Sequence, residues 1–362
     1  MKVAVIGTGL IGGSVGLALK SRLGIEVTAF DRDSKAAAEA VDRGAADRAA
    51  TSIADAVEDA GVVFIATPVG AITEAVQEAA PAMPAGGIVT DVGSTKSRVV
   101  LDCEAILAGR GRFLGGHPMA GSEDEGIAAA RADLFDGAWW ILTPTDTSDP
   151  DAYQQLHSIL TGVGAKVMAL TPVAHDELLA LISHLPQLIA TSLMNAAAER
   201  GREHGGLLAL AAGGFRDVTR VAASNPQIWL DICRENSHAI AAVLQGFADR
   251  LLRLRDIVAG GDAEALQAEL LSARAARRAL PGKGEAGDLH DVLIRIPDRP
   301  GVLSEVTTLV GNLGVNIEDL QITHASEGGG GQLRLAVAGE EAAERVAQAL
   351  RRASFDAKSV LL

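Results

Sequence analysis

Val3-Ala4-Val5-Ile6 runs without a break into Gly7-Thr8-Gly9-Leu10-Ile11-Gly12, and an apolar, alanine- and leucine-rich stretch to about Arg22 follows. Few folds accommodate this order of strand, glycine turn and helix. The first glycine permits a tight turn, the second lets a pyrophosphate approach the backbone, and the third lets the helix pack closely on the strand. The free N–H groups and positive dipole end of the helix then favour phosphate. A second strand, Glu26-Val27-Thr28-Ala29-Phe30, ends at Asp31, whose carboxylate can accept hydrogen bonds from ribose hydroxyls and repel a 2′-phosphate. The pattern predicts a Rossmann site for NAD, built from Gly7, Gly9, Leu10, Ile11, Gly12, Asp31, Arg32, Thr67 and Pro68. Arg32, beside the acid, works against the preference for NAD over NADP.

Short β-branched runs alternate with amphipathic stretches as far as residue 170, which predicts an α/β unit with a doubly wound, mainly parallel sheet. Further strands are read at Val62–Ala66, Ile88–Thr90, Trp139–Leu142 and Lys166–Leu170. From Thr171-Pro172 to about Leu280 the periodicity is helical, with Pro186 and Pro226 as interruptions, so residues 171–280 form an all-α domain. Residues 281–287 have the composition of a flexible linker. Residues 288–362 read strand, helix, strand, strand, helix, strand, the order of a ferredoxin-like split βαβ unit.

The chain has 362 residues, with 32 Lys+Arg against 46 Asp+Glu, a net charge of -14. That excess repels a phosphate backbone and an anionic membrane surface, so neither nucleic acid nor membrane is expected as a partner. Cys103 and Cys233 have no metal or redox spacing, the histidines show no metal-ligand spacing, and no metal is expected. Glycines at 7, 9, 12, 13 and 16 break the apolar opening, which argues against a leader peptide; with no long uninterrupted apolar span after it, the chain reads as cytoplasmic.

Two glycine-rich segments carry the candidate chemistry. Asp91-Val92-Gly93-Ser94-Thr95-Lys96 follows the Ile88–Thr90 strand at the sheet edge where open α/β folds bind ligands. Gly115-Gly116-His117-Pro118-Met119-Ala120-Gly121 is too rich in glycine and proline for a regular element and reads as a loop presenting His117, an imidazole suited to accept a proton near neutral pH.

These segments, with Ser183-His184-Leu185-Pro186 and Gly213-Gly214-Phe215-Arg216-Asp217-Val218-Thr219-Arg220, resemble the prephenate/arogenate dehydrogenase family of tyrosine biosynthesis over about residues 1–280. The resemblance implies a dinucleotide-binding domain joined to a helical dimerisation domain, and an NAD-dependent oxidative decarboxylation of prephenate, with arogenate as the alternative substrate. It gives His117 the ring-hydroxyl proton and Ser94 the task of orienting His117. Arg220 would bind a substrate carboxylate, where a guanidinium offers two parallel donors. Ser183, His175 and Gln187 would line the substrate pocket, and Trp229 would reach it from the partner subunit of a homodimer. Gln187 stands where better-known members often carry histidine, and an amide could serve either substrate.

Ile296-Pro297-Asp298-Arg299-Pro300-Gly301-Val302-Leu303, followed by Gly314-Val315-Asn316-Ile317, looks like an ACT domain. Asp298, Gly301, Val302, Asn316 and Ile317 are its candidate effector contacts, with tyrosine as the natural effector, and Gly328–Gly331 reads as a mobile turn. Two other readings compete. A β-hydroxyacid dehydrogenase generally relies on a lysine in its helical domain, yet no lysine occurs between Lys166 and Lys283. A catalytically inactive, amino-acid-sensing protein would have no need of His117, Ser94 and Arg220.

Overall fold

A computed structural model describes residues 1–362 apart from 122–123, 204–206, 281–288, 298, 300–301, 316, 318, 325–330 and 362. The chain divides into two compact units, Met1–Leu251 and Leu252–Leu362. In the first, β1 (Lys2–Ile6), β2 (Glu26–Phe30), β3 (Arg48–Ala49), β4 (Val62–Ile65), β5 (Ile88–Asp91), β6 (Arg112–Pro118), β7 (Trp139–Thr143) and β8 (Lys166–Ala169) form one sheet in the order β3-β2-β1-β4-β5-β6-β7-β8. Neighbours run parallel except β6 and β7. Alternation along β1 shows how the sheet is covered on both faces. Val3 and Val5 pack with Val15 and Leu19 of the Leu10–Leu23 helix, while Ala4 and Ile6 pack with Ile53 and Ile72 on the other side. The strand order reverses between β1 and β4, so the Gly7 turn and Thr67-Pro68 meet at the crevice where such sheets bind ligands.

The sequence reading missed β3 and β6. His117 lies on β6, pairing with Ile141 of β7, and not on a loop. Gly115 and Gly116 are dictated by close packing: a Cβ on Gly115 would sit 2.4 Å from Thr143 Oγ1, and one on Gly116 2.7 Å from the Asp91 carbonyl oxygen. The glycines that looked like loop formers let β6 approach its neighbours.

The helices run from Pro172–Leu179 through Leu185–Glu203, Gly213–Thr219, Pro226–Glu235 and Ser237–Gly260. Pro226 opens a helix capped by Asn225, whose Oδ1 accepts from Gln227 N at 2.9 Å. Pro186 does not interrupt its helix. A π-turn, Ala180–His184, joins Pro172–Leu179 to Leu185–Glu203, and Leu185 N–H bonds back to the Ala180 carbonyl. Proline has no N–H and crowds the carbonyl four residues back; a widened turn absorbs both effects without breaking the helix. The resulting run, Pro172–Arg202, is long and apolar enough to cross a membrane by length and composition, contrary to the sequence reading. It nevertheless buries His175, Asp176, His184 and Gln187.

In the second unit, β9 (Leu289–Ile296), β10 (Asp319–His324), β11 (Gly331–Ala338) and β12 (Asp356–Leu361) form an antiparallel sheet ordered β10-β11-β9-β12. The Glu340–Arg352 helix covers it with Ala343, Val346, Ala347 and Leu350, spaced as one helical face. This is the expected ferredoxin-like arrangement. Of the effector candidates, Asp298, Gly301 and Asn316 lie outside the described residues, as do the 281–287 linker and Gly328–Gly330. Val302 is buried in the core of this unit, and Ile317, half-buried, packs against that core.

Candidate active site

The glycine turn has the shape of a phosphate cradle. Gly7 has φ +97°, and a Cβ there would lie 2.5 Å from the Ala66 carbonyl oxygen; at Gly12 it would lie 1.9 Å from the Gly7 carbonyl oxygen. Over Gly9 there is open space, and this residue starts the Leu10–Leu23 helix without a side-chain cap, leaving N–H groups for a ligand. Leu10 and Ile11, both half-buried, pack against the core and place their backbone at the helix start. Asp31 braces the turn: Thr8 N and Thr8 Oγ1 donate to its Oδ2 at 2.7 and 3.0 Å, and Asp33 N donates to Oδ1 at 3.0 Å. Arg32 is turned to Glu74, with Nη2 2.7 Å from Oε2. Thr67 Oγ1, just beyond β4, is buried without a partner among the described residues. An uncapped helix start, room over Gly9 and an orphaned hydroxyl beside Pro68 together fit a dinucleotide.

Beyond the cradle, His117 Nδ1 lies 2.8 Å from His175 Nε2, and His175 Nδ1 lies 2.8 Å from Asp176 Oδ1. His175 is fully buried and His117 half-buried. The Asp176 carboxylate is itself anchored, accepting from Lys96 N at 2.7 Å and Ser97 N at 2.8 Å at the start of the Ser97–Leu107 helix. Burial works to raise the Asp176 carboxyl, but hydrogen bonds from His175, Ser97 and Lys96 outweigh it and hold it below the usual value. Burial drives the His175 imidazole down, and the Asp176 hydrogen bond only partly opposes this. His117 lies well below the usual imidazole value, first through burial and then through repulsion by His175, Lys96 and His184.

These states fix the tautomers. An ionised Asp176 only accepts, so His175 Nδ1 carries the proton and His175 Nε2 accepts from His117 Nδ1–H. The lone pair of His117 is thereby left on Nε2. The expected orienting contact from Ser94 is absent from the hydrogen bonds of the described residues; His175 occupies that role, and Ser94 stands half-buried on the turn after β5. His175 was read as lining the substrate pocket, but its ring is enclosed between His117 and Asp176.

Sequence reasoning also gave no role to Lys96 and Asp91, a fully buried ion pair. Asp91 Oδ1 accepts from Gly116 N at 3.1 Å and Oδ2 from Gly93 N at 2.8 Å, so one carboxylate ties the turn after β5 to the strand bearing His117. The Asp91 to Lys96 spacing within one glycine-bearing turn was the available signal.

Ser183 is half-buried in the π-turn, and Gln187 is buried one turn later with Oε1 lacking a partner among the described residues. Trp229, expected to reach a partner's pocket, lies half-buried against its own subunit's His184, with ring centroids 6.1 Å apart at 79°. Arg220 is exposed and starts a short 3-10 helix, Arg220–Ala223, that packs on the Leu185–Glu203 helix.

Residues 15–169 match the family model for the nucleotide-binding domain of prephenate dehydrogenase, residues 171–272 that for its dimerization domain, and residues 290–355 the ACT domain. The chain is 34% identical over 359 residues to a prephenate dehydrogenase of Bacillus subtilis, covering 98% of this chain and 97% of that protein. Among solved structures it resembles prephenate dehydrogenase from A. aeolicus in complex with hydroxyphenyl propionate and NAD+, with TM-score 0.73 and 30% identity over 77% of this chain and 97% of that one. It also resembles Synechocystis arogenate dehydrogenase, with TM-score 0.68 and 32% identity over 77% of this chain and 99% of that one. With two of its models matched across most of the chain, and a whole-length relative beside them, the chain belongs to the prephenate dehydrogenase family.

Proposed function

We propose that the chain is an NAD-dependent prephenate dehydrogenase of tyrosine biosynthesis, carrying out oxidative decarboxylation of prephenate to 4-hydroxyphenylpyruvate, and that His117 is its general base. The observation that carries this reading is the chain from Asp176 through His175 to His117. Oxidising the ring carbinol requires its hydroxyl proton to be taken up, and His117 Nε2 holds the lone pair for that proton. Its depressed pKa keeps the nitrogen unprotonated near neutral pH. As His117 gains charge, His175 and the Asp176 carboxylate hold the ring in place and stabilise the imidazolium. Gly7, Gly9, Gly12, Asp31, Thr67 and Pro68 would hold NAD, which when bound supplies the hydride acceptor. Arg220 binds a substrate carboxylate; Ser94, Ser183 and Gln187 line the pocket. Residues 1–170 and 171–280 act as cofactor and substrate domains. The 288–362 domain binds tyrosine as a feedback effector.

We place this chain in the cytoplasm. The buried His175-Asp176 pair docks the apolar Pro172–Arg202 run onto the sheet domain, which a membrane span would not do. Leu178, Leu181, Ile182, Leu230 and Leu244 remain exposed in the helical segment, an apolar surface suited to a second copy of the chain. Replacing His117 by Asn lowers kcat by about 10²- to 10⁴-fold on this reading; near wild-type turnover removes it from the mechanism. Comparing kcat/KM for prephenate and arogenate, each with NAD and NADP and with or without tyrosine, tests substrate, cofactor and effector together.

A further inference from the structure

His184 closes the π-turn and is 1% exposed, yet the mechanism above makes no use of it. Its Nδ1 lies 3.3 Å from Asn236 Nδ2, and the same amide nitrogen donates to the Asp176 carbonyl oxygen at 2.8 Å. A backbone carbonyl only accepts, so the amide orientation is fixed with its nitrogen between the two. Asn236 therefore donates to Nδ1 of His184, and the ring proton must sit on Nε2. That Nε2 is buried and has no partner among the described residues. Burial pushes His184 down to about 4, so the ring is neutral and the Nε2–H donor persists near neutral pH. Three residues on, on the same side of the helix, Gln187 presents the complementary orphan, an Oε1 acceptor that is also buried and unpartnered. Buried polar groups are rarely left unpaired, and an orphan donor on a ring that Asn236 ties to Asp176, the residue that anchors the His175–His117 pair, points to an accepting ligand at Nε2.

Building on the active-site reading above, we propose that His184 is a substrate-binding donor, its Nε2–H bonding a carboxylate oxygen of the substrate, and that Asn236 is the positioning residue that fixes its tautomer. Three variants test this, with kcat, KM, NAD affinity and urea unfolding measured for each. His184→Phe keeps an aromatic ring and removes the donor; kcat/KM for prephenate should fall about 10- to 100-fold, the size of a lost hydrogen bond to a charged group. His184→Gln, whose amide can place an N–H near the position of Nε2, should recover most of that loss. Asn236→Asp sets an acceptor against Nδ1, draws the proton there and leaves a lone pair on Nε2, so it should behave like His184→Phe. NAD affinity should not change in any of them.

Binding of 4-hydroxyphenylpyruvate, which lacks the ring carboxylate, identifies the oxygen engaged. Weakened binding in His184→Phe assigns the side-chain carboxylate, and unchanged binding assigns the ring carboxylate. A kcat/KM within twofold of wild type in His184→Phe, or no recovery in a folded His184→Gln, overturns the proposal. If the variants do not fold, imidazole ¹⁵N NMR of the wild-type protein decides. The proposal requires the Nε2–H tautomer at His184 and a response of that proton to 4-hydroxyphenylpyruvate or prephenate; the Nδ1–H tautomer, or no response to either ligand, overturns it. Should wild-type protein turn over neither prephenate nor arogenate, the active-site reading itself fails; full activity in His184→Phe with loss in His117→Asn overturns only this inference.

Discussion

Replacing Asp176 by Asn isolates the relay behind His117. The carboxylate accepts three donors, His175 Nδ1 at 2.8 Å, Lys96 N at 2.7 Å and Ser97 N at 2.8 Å, and is 4% exposed. Asparagine has one accepting oxygen and a nitrogen that only donates. With its oxygen toward His175 and Lys96 N, its NH2 meets the Ser97 N–H, and the folded state loses a hydrogen bond to a charged group, about 1.5–3 kcal/mol. His175 keeps its tautomer there, but no negative charge remains to stabilise His117 as it takes up a proton, a further factor of about 10–100 in kcat. Flipped, the amide donates to His175 Nδ1 and moves the proton to Nε2. His175 then donates to His117 Nδ1, and the nitrogen facing the substrate carries a proton in place of the lone pair. Each orientation keeps two hydrogen bonds and one donor–donor clash, so both are populated, and kcat should fall about 10²-fold with KM little changed. Initial rates of NADH formation at saturating prephenate, alongside urea unfolding, measure the two effects separately. A destabilised Asp176→Asn enzyme with wild-type kcat would refute the relay and leave Asp176 as a helix cap.

Three further outcomes follow from the same geometry. His184, held at about 4 against an ordinary 6.5, has its folded-state value depressed, so its contribution is present above 6.5 and is lost as pH falls toward 4; on the order of 3 kcal/mol of stability should disappear across that window, and urea titrations of wild type and His184→Phe should show the flatter profile in the variant. Replacing Lys96 by Met leaves the Asp91 carboxylate buried without its cation and should cost about 3–5 kcal/mol, read from the urea midpoint; a shift under 1 kcal/mol would mean that Gly93 N and Gly116 N alone satisfy it. A methyl group on Gly12, 1.9 Å from the Gly7 carbonyl oxygen, must push the helix off the turn, so Gly12→Ala should weaken NAD about 10- to 100-fold by fluorescence titration, and unchanged affinity would refute the cradle.

The parts of this protein that were legible in its sequence are those governed by local backbone rules. The Gly7 to Gly12 turn could be read because a tight turn and close packing each exclude a side chain, and because the next strand places Asp31 within reach of Thr8. The Glu340–Arg352 helix was readable from one apolar face. What stayed hidden depends on packing between distant segments. His117 and His175 lie 58 positions apart, and only the seating of Asp176 on the start of the Ser97–Leu107 helix brings their rings together. Gly115-Gly116 misled because a strand pressed against Thr143 and Asp91 uses the same residue as a flexible loop, for the opposite reason. Pro186 misled in a related way. It reads as the end of a helix, yet the chain answers the missing N–H by widening the turn before it, and at that turn sit Ser183 and His184, with Gln187 just beyond. The places where local rules gave the wrong element, β6 and the π-turn, are the places that hold the proposed base and the proposed donor. The strand that bears His117 is pressed against Thr143 and Asp91, and His184 at the end of the π-turn is held by Asn236, so in both places neighbours far along the chain, and not the local residues, settle the structure.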